Sequence, residues 1–229
     1  INNKSENYFH WMTESLSRVL SFKKLNSEFP ILISEDFKNL DFVTKTLDFL
    51  EMKYKIYETD RVFKVKKLLL TSHTAPAGNY NSNILFELHK NLNDGSKSNL
   101  GKRLWVSRKY TDRRHLINED EIIPILEKYN IQVIYPEKME YIEQVELFRN
   151  ATFLGGVHGA ALTNMLYMEM NNKVLELRAV NDAHNNCHYS LAVGLNNKFY
   201  YLICENDKDS NFIVDPIQLE NTLNEIFKN

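Results

Sequence analysis

Residues 151–168 read ATFLGGVHGAALTNMLYM, an apolar run, a knot of glycines around a histidine, and a second apolar run at helical spacing. Three of the chain's seven glycines, Gly155, Gly156 and Gly159, stand within five positions around His158. TFLG predicts a strand, GAALTNMLYM a helix, and the glycines a tight turn between them. Strand, turn and helix in that order form the repeating unit of a parallel α/β sheet, whose ligands bind at the carboxyl ends of the strands.

Outward from this stretch the rhythm repeats. RLWVS, IQVIY and KVLEL read as strands and NEDEIIPILEKY and YIEQVELFRN as helices, an alternation that implies parallel pairing with right-handed crossovers. Upstream, residues 7–25 carry Trp11, Met12, Leu16, Val19, Leu20 and Leu25 at helical spacing. PILIS, KYKIYE and KKLLLTS read as strands, DFKNLDFVTKTLDFLEM as a helix with Asp36 near its cap, and SNILFELHKNL as a closing helix. NDGSKSNLGK, residues 93–102, has no apolar period and predicts a linker. The expected organisation is an α/β domain over 1–95 and a Rossmann-like α/β domain over 96–205. Over 206–229 a loop and an amphipathic helix follow, whose Ile217, Leu219, Leu223, Ile226 and Phe227 pack back on the body.

At 229 residues and 43% hydrophobic content the chain can bury a sizeable core. A formal net charge of -2 and a pI near 6.4 exclude a global pull toward nucleic acid or anionic membrane, so no nucleic-acid partner is expected and any anion has to be held locally. No apolar run approaches the ~20 residues that span a bilayer, and INNKSENYFHW lacks the grammar of a signal peptide. Two cysteines, Cys187 and Cys204, are too few for a disulfide framework. A cytoplasmic location is expected. The chain starts without methionine, so residues upstream of Ile1 are also expected.

The chemistry-bearing residues gather at one rim. Gly155, Gly156, His158, Gly159 and Ala160 stand where a helix N-terminus meets a strand end, a setting that suits a phosphate. G-G-x-x-G is neither a dinucleotide fingerprint nor a Walker A, and a plain strand-to-helix turn fits it equally. VSRKYTDRRHLINEDE follows the first strand of the second half and brings Arg108, Lys109, Arg113, Arg114 and His115 to the same rim, where guanidinium groups clamp a diphosphate. In the first half, His10 and Glu14 share a helix face with Arg18 one turn on. They form either a surface ladder or a base with its orienting acid.

Three further clusters read as structural. NEDE from Asn118 suits a capping box with Glu121, HNNCH from His184 to His188 lacks a full zinc ligand set, and DKD from Asp207 to Asp209 lies in a polar run. No required metal is expected.

NYFHW opening a helix, VSRKYTDRRHLINEDEI, VELFRNATFLGGVHGAALTNMLYM and VLEL, in that order from about residue 7 to about residue 203, resemble the motif series of glycosyltransferase family 61. That family includes bacterial capsular-polysaccharide enzymes and eukaryotic O-GlcNAc and xylan transferases. The resemblance implies a GT-B-like fold, two Rossmann-like domains facing a cleft, and an inverting transfer from a nucleotide-sugar to a glycan acceptor without a cofactor. It implies Arg108 with Arg113 or Arg114 on the donor diphosphate, backbone approach along Gly155–Gly159, Glu176 on the ribose hydroxyls, Asn164 near the donor or buried, and His10 with Glu14 as base. The acceptor it implies is a surface or capsular glycan or its lipid-linked precursor, with any peripheral membrane association running through that acceptor. A non-catalytic or hydrolytic nucleotide-binding α/β protein is the alternative.

Overall fold

The computed structural model describes residues 3–25, 28–74, 78–93, 101–180 and 186–228. Residues 94–100 of the expected linker and His184 therefore lie outside the described residues. The chain divides into two compact units, Ile1–Gly95 and Ser96–Asn229. No helix of the described residues is long and apolar enough to cross a membrane.

In the first unit, Asn7 caps α1 (Tyr8–His10) by accepting from the Phe9 N–H, satisfying a donor that has no partner within the helix. The chain then makes a π-helical turn at Trp11–Ser15 and continues as α2 (Leu16–Lys23). Trp11, Met12, Leu16, Val19 and Leu20 are buried, and the Trp11 indole N–H donates to Thr46 Oγ1 at 2.8 Å, tying this helix to α3 (Asp41–Phe49). Parallel strands β1 (Ile31–Ser34) and β2 (Tyr54–Tyr57) flank α3, and α4 (Ser82–Leu92), capped by Asn81, closes the unit.

Two expectations shift in this unit. Asp36 stands in a separate 3-10 turn, Glu35–Phe37, and its N–H bonds Ser34 Oγ, so α3 begins without it. KKLLLTS forms no strand. A β-strand exists only where its N–H and C=O groups find a partner strand, and in this unit β1 and β2 pair with each other. Leu68, Leu69 and Leu70 are accordingly exposed.

The second unit holds a six-stranded sheet. Its strands are β3 (Lys102–Val106), β4 (Ile131–Ile134), β5 (Ala151–Val157), β6 (Lys173–Ala179), β7 (Lys198–Asn206) and the short β8 (Phe212–Ile213), in the order β4-β3-β5-β6-β7-β8. The first five run parallel, while β8 returns antiparallel on β7. From β3 the chain crosses to β4 on one side and then to β5 on the other, so the order reverses between β3 and β5. In an open α/β sheet that reversal leaves a crevice outside the carboxyl ends of the two strands.

Helices α5 (Glu119–Lys128) and α8 (Pro216–Lys228) cover one face of the sheet. Trp105, Phe153, Val157, Leu175 and Leu177 from the strands join Ile122, Leu126, Leu219, Leu223 and Ile226 there in one core. Ile217 departs from the expected stripe: it is 71% exposed, because the buried positions of α8 recur at 219, 223 and 226 and it falls off that line. Phe227 stacks on Tyr129 and lies under the Arg103 guanidinium. Helices α6 (Tyr141–Arg149) and α7 (Cys187–Gly194) complete the unit.

The glycines prove to have a packing role that the turn reading omits. Gly155 and Gly156 lie inside β5, in register with Trp105 and Val106 of β3, and the segment expected as an α-helix is a 3-10 helix, Ala160–Leu166. A Cβ on Gly155 would stand 2.7 Å from Trp105 Cε3, and one on Gly156 only 2.9 Å from the Val106 carbonyl oxygen. The Val106 oxygen belongs to a paired backbone and cannot step aside without opening the ladder. Gly156→Ala should therefore cost about 1–3 kcal/mol through overpacking. A thermal melt should show a loss of roughly 3 to 10 °C for a chain this size. An unchanged melting temperature would mean that β3 and β5 tolerate a wider separation.

Candidate functional site

The strand ends on either side of the reversal carry the charged residues. Beyond β3, Ser107 Oγ donates to Glu119 Oε2 at 2.7 Å and accepts from the Lys109 N–H at 3.1 Å, pinning the start of the arginine loop to α5. Burial raises the Glu119 pKa above its ordinary value. Asn118 does not make the expected capping-box hydrogen bond. Its side chain instead donates to the Val214 carbonyl at 2.8 Å and accepts from the Val214 N–H at 3.1 Å, a two-point staple of the loop to the segment before α8.

Within the loop Arg108 turns back on itself. Its Nε and Nη2 donate to the Arg113 carbonyl at 3.2 and 3.0 Å, and Thr111 Oγ1 donates to the carbonyls of Arg108 and Arg113. The remaining nitrogen, Nη1, lies against the Cα of Gly159, where any side chain would collide with it. Gly159 has extended backbone at φ 175°, so backbone freedom is not what glycine supplies here; a Cβ would displace the end of the Arg108 side chain from its present place. Arg114 sits at φ 61°, in the left-handed region, at a cost of roughly 1 kcal/mol or more. Its Nη1 donates to the His158 carbonyl at 3.4 Å, joining the loop after β3 to the turn after β5. Burial, then the neighbouring charges of Arg114 and Arg113, pulls the Arg108 pKa below its ordinary value. Three guanidinium groups held close enough to repel one another leave a positive field that a bound anion relieves.

Behind the arginines stands a buried carboxylate. Side chains alternate along a strand, so Leu175 and Leu177 enter the α5/α8 core while Glu176 faces the opposite side of the sheet. Its Oε1 accepts from His158 Nδ1 at 2.6 Å and from His188 Nδ1 at 2.5 Å. Burial favours the neutral acid, yet the hydrogen bonds from His158 and His188, with their charges, outweigh it and hold the Glu176 pKa down at about 2. His188 is 2% exposed, and burial lowers its pKa. These three side chains are of metal-ligand type. Their ligand atoms lie within 4.8 Å of one another, and the Glu176 oxygen stands at hydrogen-bond distance from each Nδ1, closer than the roughly 3.3 Å between neighbouring ligands of a tetrahedral zinc with 2.0–2.1 Å bonds.

The structure thus brings together Arg108, Arg113, Arg114, His158, Gly159 and Glu176. Gly155 and Gly156 lie behind them in β5. Ala160 opens the 3-10 helix, and Asn164 within it is buried at 1% exposure. His188 is the participant that reading the sequence missed. HNNCH invites pairing with His184 as a metal motif, whereas the usable signal is a histidine in the otherwise apolar first turn of the helix after the strand that carries Glu176.

His10 and Glu14 belong to the first unit, where His10 Nδ1 bonds Glu14 Oε1 at 2.9 Å across the π-helical turn, a distortion frequent at functional sites. Arg18 does not continue the ladder, since its Nη2 donates to the Thr71 carbonyl. A pocket lined by Arg18, Val19, Phe22, Ile31 and Leu69 runs along α2 and includes neither His10 nor Glu14. Asp207 organises the β7–β8 hairpin: its Oδ1 accepts from the N–H groups of Asp209 and Asn211, and its Oδ2 from the Asn211 side chain.

The chain is similar to the EGF domain-specific O-linked N-acetylglucosamine transferase of Drosophila melanogaster, with 35% identity over 91 residues. That alignment covers 38% of this chain and 17% of the relative. The family model for glycosyltransferase 61 matches residues 8–175, which takes in His10, the arginine loop and the whole of β5. With the match covering most of its length, the chain belongs to glycosyltransferase family 61.

Proposed function

We propose that this glycosyltransferase is an inverting enzyme that moves a sugar from a nucleotide-sugar to a glycan acceptor. The observation that carries the reading is the convergence of Arg108 and Arg114 on the turn after β5, with the charge of Arg113 close enough to be felt by Arg108, at the reversal of strand order. A nucleoside diphosphate leaving group gathers negative charge as the glycosidic bond breaks, and pre-placed cations aimed at that charge lower the barrier. The arginines supply them without a required metal. His10, oriented by Glu14, is the proposed base that deprotonates the acceptor hydroxyl. Two α/β units, the second with a doubly wound parallel sheet, support a GT-B-like reading.

The relative's name makes an N-acetylglucosamine donor the first to try. A surface or capsular glycan, or its lipid-linked precursor, is the proposed acceptor on the strength of the family's bacterial members. Thermal shift with UDP, GDP, CDP and ADP and their sugars tests the donor site directly. A true donor at one hundred times its dissociation constant adds about 2.7 kcal/mol of stability, a clear rise in melting temperature. A screen in which no nucleotide raises it would sink the reading.

A further inference from the structure

His158 reaches Glu176 from the turn after β5, and His188 reaches the same carboxylate oxygen from α7. An ionised carboxylate only accepts, so each Nδ1 has to carry a proton. Either ring, when neutral, is therefore held in the Nδ1–H form, the form that a histidine side chain in water populates less. In His158 this leaves Nε2 with a lone pair, able to accept from an O–H group and unable, while neutral, to donate to a phosphate oxygen.

We propose that His188 is a positioning residue of the donor site: it anchors Glu176, and through Glu176 sets the ring and tautomer of His158 so that Nε2 accepts a hydroxyl of the nucleotide-sugar. The inference rests on the donor site proposed above. His188 acts indirectly, because its side chain is 2% exposed while that of His158 is 12% exposed. The two rings lie 4.9 Å apart at 53°, so each also limits the other's rotation. Without the second imidazole, Glu176 at 1% exposure has one fewer hydrogen bond to hold its rotamer, and the ring orientation of His158 follows that rotamer.

Two substitutions separate this role from simple packing. His188→Phe keeps a ring and loses the donor, whereas His188→Asn places an amide N–H near the position of Nδ1. In ¹⁵N-labelled protein without ligand, at a pH where the His158 ring is neutral, His158 should show a protonated Nδ1 and an unprotonated Nε2 in the wild type and in His188→Asn, and a tautomer mixture in His188→Phe. Affinity for UDP-N-acetylglucosamine should fall up to roughly tenfold in His188→Phe, as for a lost hydrogen bond between neutral groups, and stay within about twofold in His188→Asn. A His158 signal unchanged in folded His188→Phe, or His188→Asn behaving like His188→Phe, would overturn the role. Should His188→Phe fail to fold, the Asn variant decides: retention of the His158 tautomer supports the proposal and its loss overturns it. If the wild type binds no nucleotide, the donor-site reading fails while the tautomer measurement still decides the part played by His188.

Discussion

Replacing Arg108, Arg113 and Arg114 together with alanine should lower nucleotide-sugar affinity and transfer by at least a hundredfold. Each guanidinium has a separate reason to matter. Arg108 places Nη1 over Gly159 while the rest of its fork grips the Arg113 carbonyl, so it both presents a charge and closes its own loop. Arg114 accepts a left-handed backbone to reach the carbonyl of His158. Arg113 is exposed and contributes field, with its carbonyl serving as the loop's anchor. Removing one preorganised contact to a developing charge costs roughly 3 to 4 kcal/mol in a water-excluded site, which is already a hundredfold or more in rate.

The single variant Arg108→Lys should recover part of the loss only, because an ammonium keeps the charge but cannot span two acceptors as the planar fork does. Loop loosening is the competing explanation for Arg108→Ala, and a melting temperature measured beside the affinity separates the two. Calorimetric titration that finds the nucleotide bound as tightly by the triple variant as by the wild type would refute the donor site, whatever its stability.

Much of the second unit could be read from strand and helix periods alone, because β3 and β4 are short, largely apolar and followed by the amphipathic helices α5 and α6. What periodicity cannot supply is which strands become neighbours. The reversal between β3 and β5 arises from the packing of two crossovers on opposite faces, and it is what makes the two charged loops adjacent. The glycines illustrate a second limit. A glycine inside a strand and a glycine in a turn look alike in sequence, and only the register with Trp105 and Val106 tells that Gly155 and Gly156 serve close strand packing while Gly159 admits a guanidinium. His188 shows a third, for its partners lie 12 and 30 residues away and are joined through one carboxylate oxygen. KKLLLTS fails in the opposite direction, with strong local β character and no partner strand among the described residues of its unit.

His10→Ala should abolish transfer while leaving nucleotide affinity within about twofold of the wild type. The asymmetry follows from what a base does: it removes a proton from the acceptor hydroxyl as that oxygen attacks, and it makes no demand on the diphosphate. His10 is suited to the task because Glu14 takes its Nδ1–H at 2.9 Å, which leaves Nε2 as the basic nitrogen and fixes the ring about the π-helical turn. The turn inserts an extra residue into the helix at Trp11–Ser15, between two stretches of ordinary α-helix, and the buried Trp11 bonded to Thr46 holds it in place. Loss of a positioned acid or base costs typically 10²- to 10⁴-fold in rate, and Glu14→Gln, which keeps an acceptor oxygen but removes the charge, should cost less than His10→Ala. The two sets of variants then divide the reaction. Arginine replacements weaken nucleotide binding and transfer together, whereas His10→Ala lowers the turnover number alone. Transfer by His10→Ala within tenfold of the wild type would assign the base to another residue and leave the donor site standing.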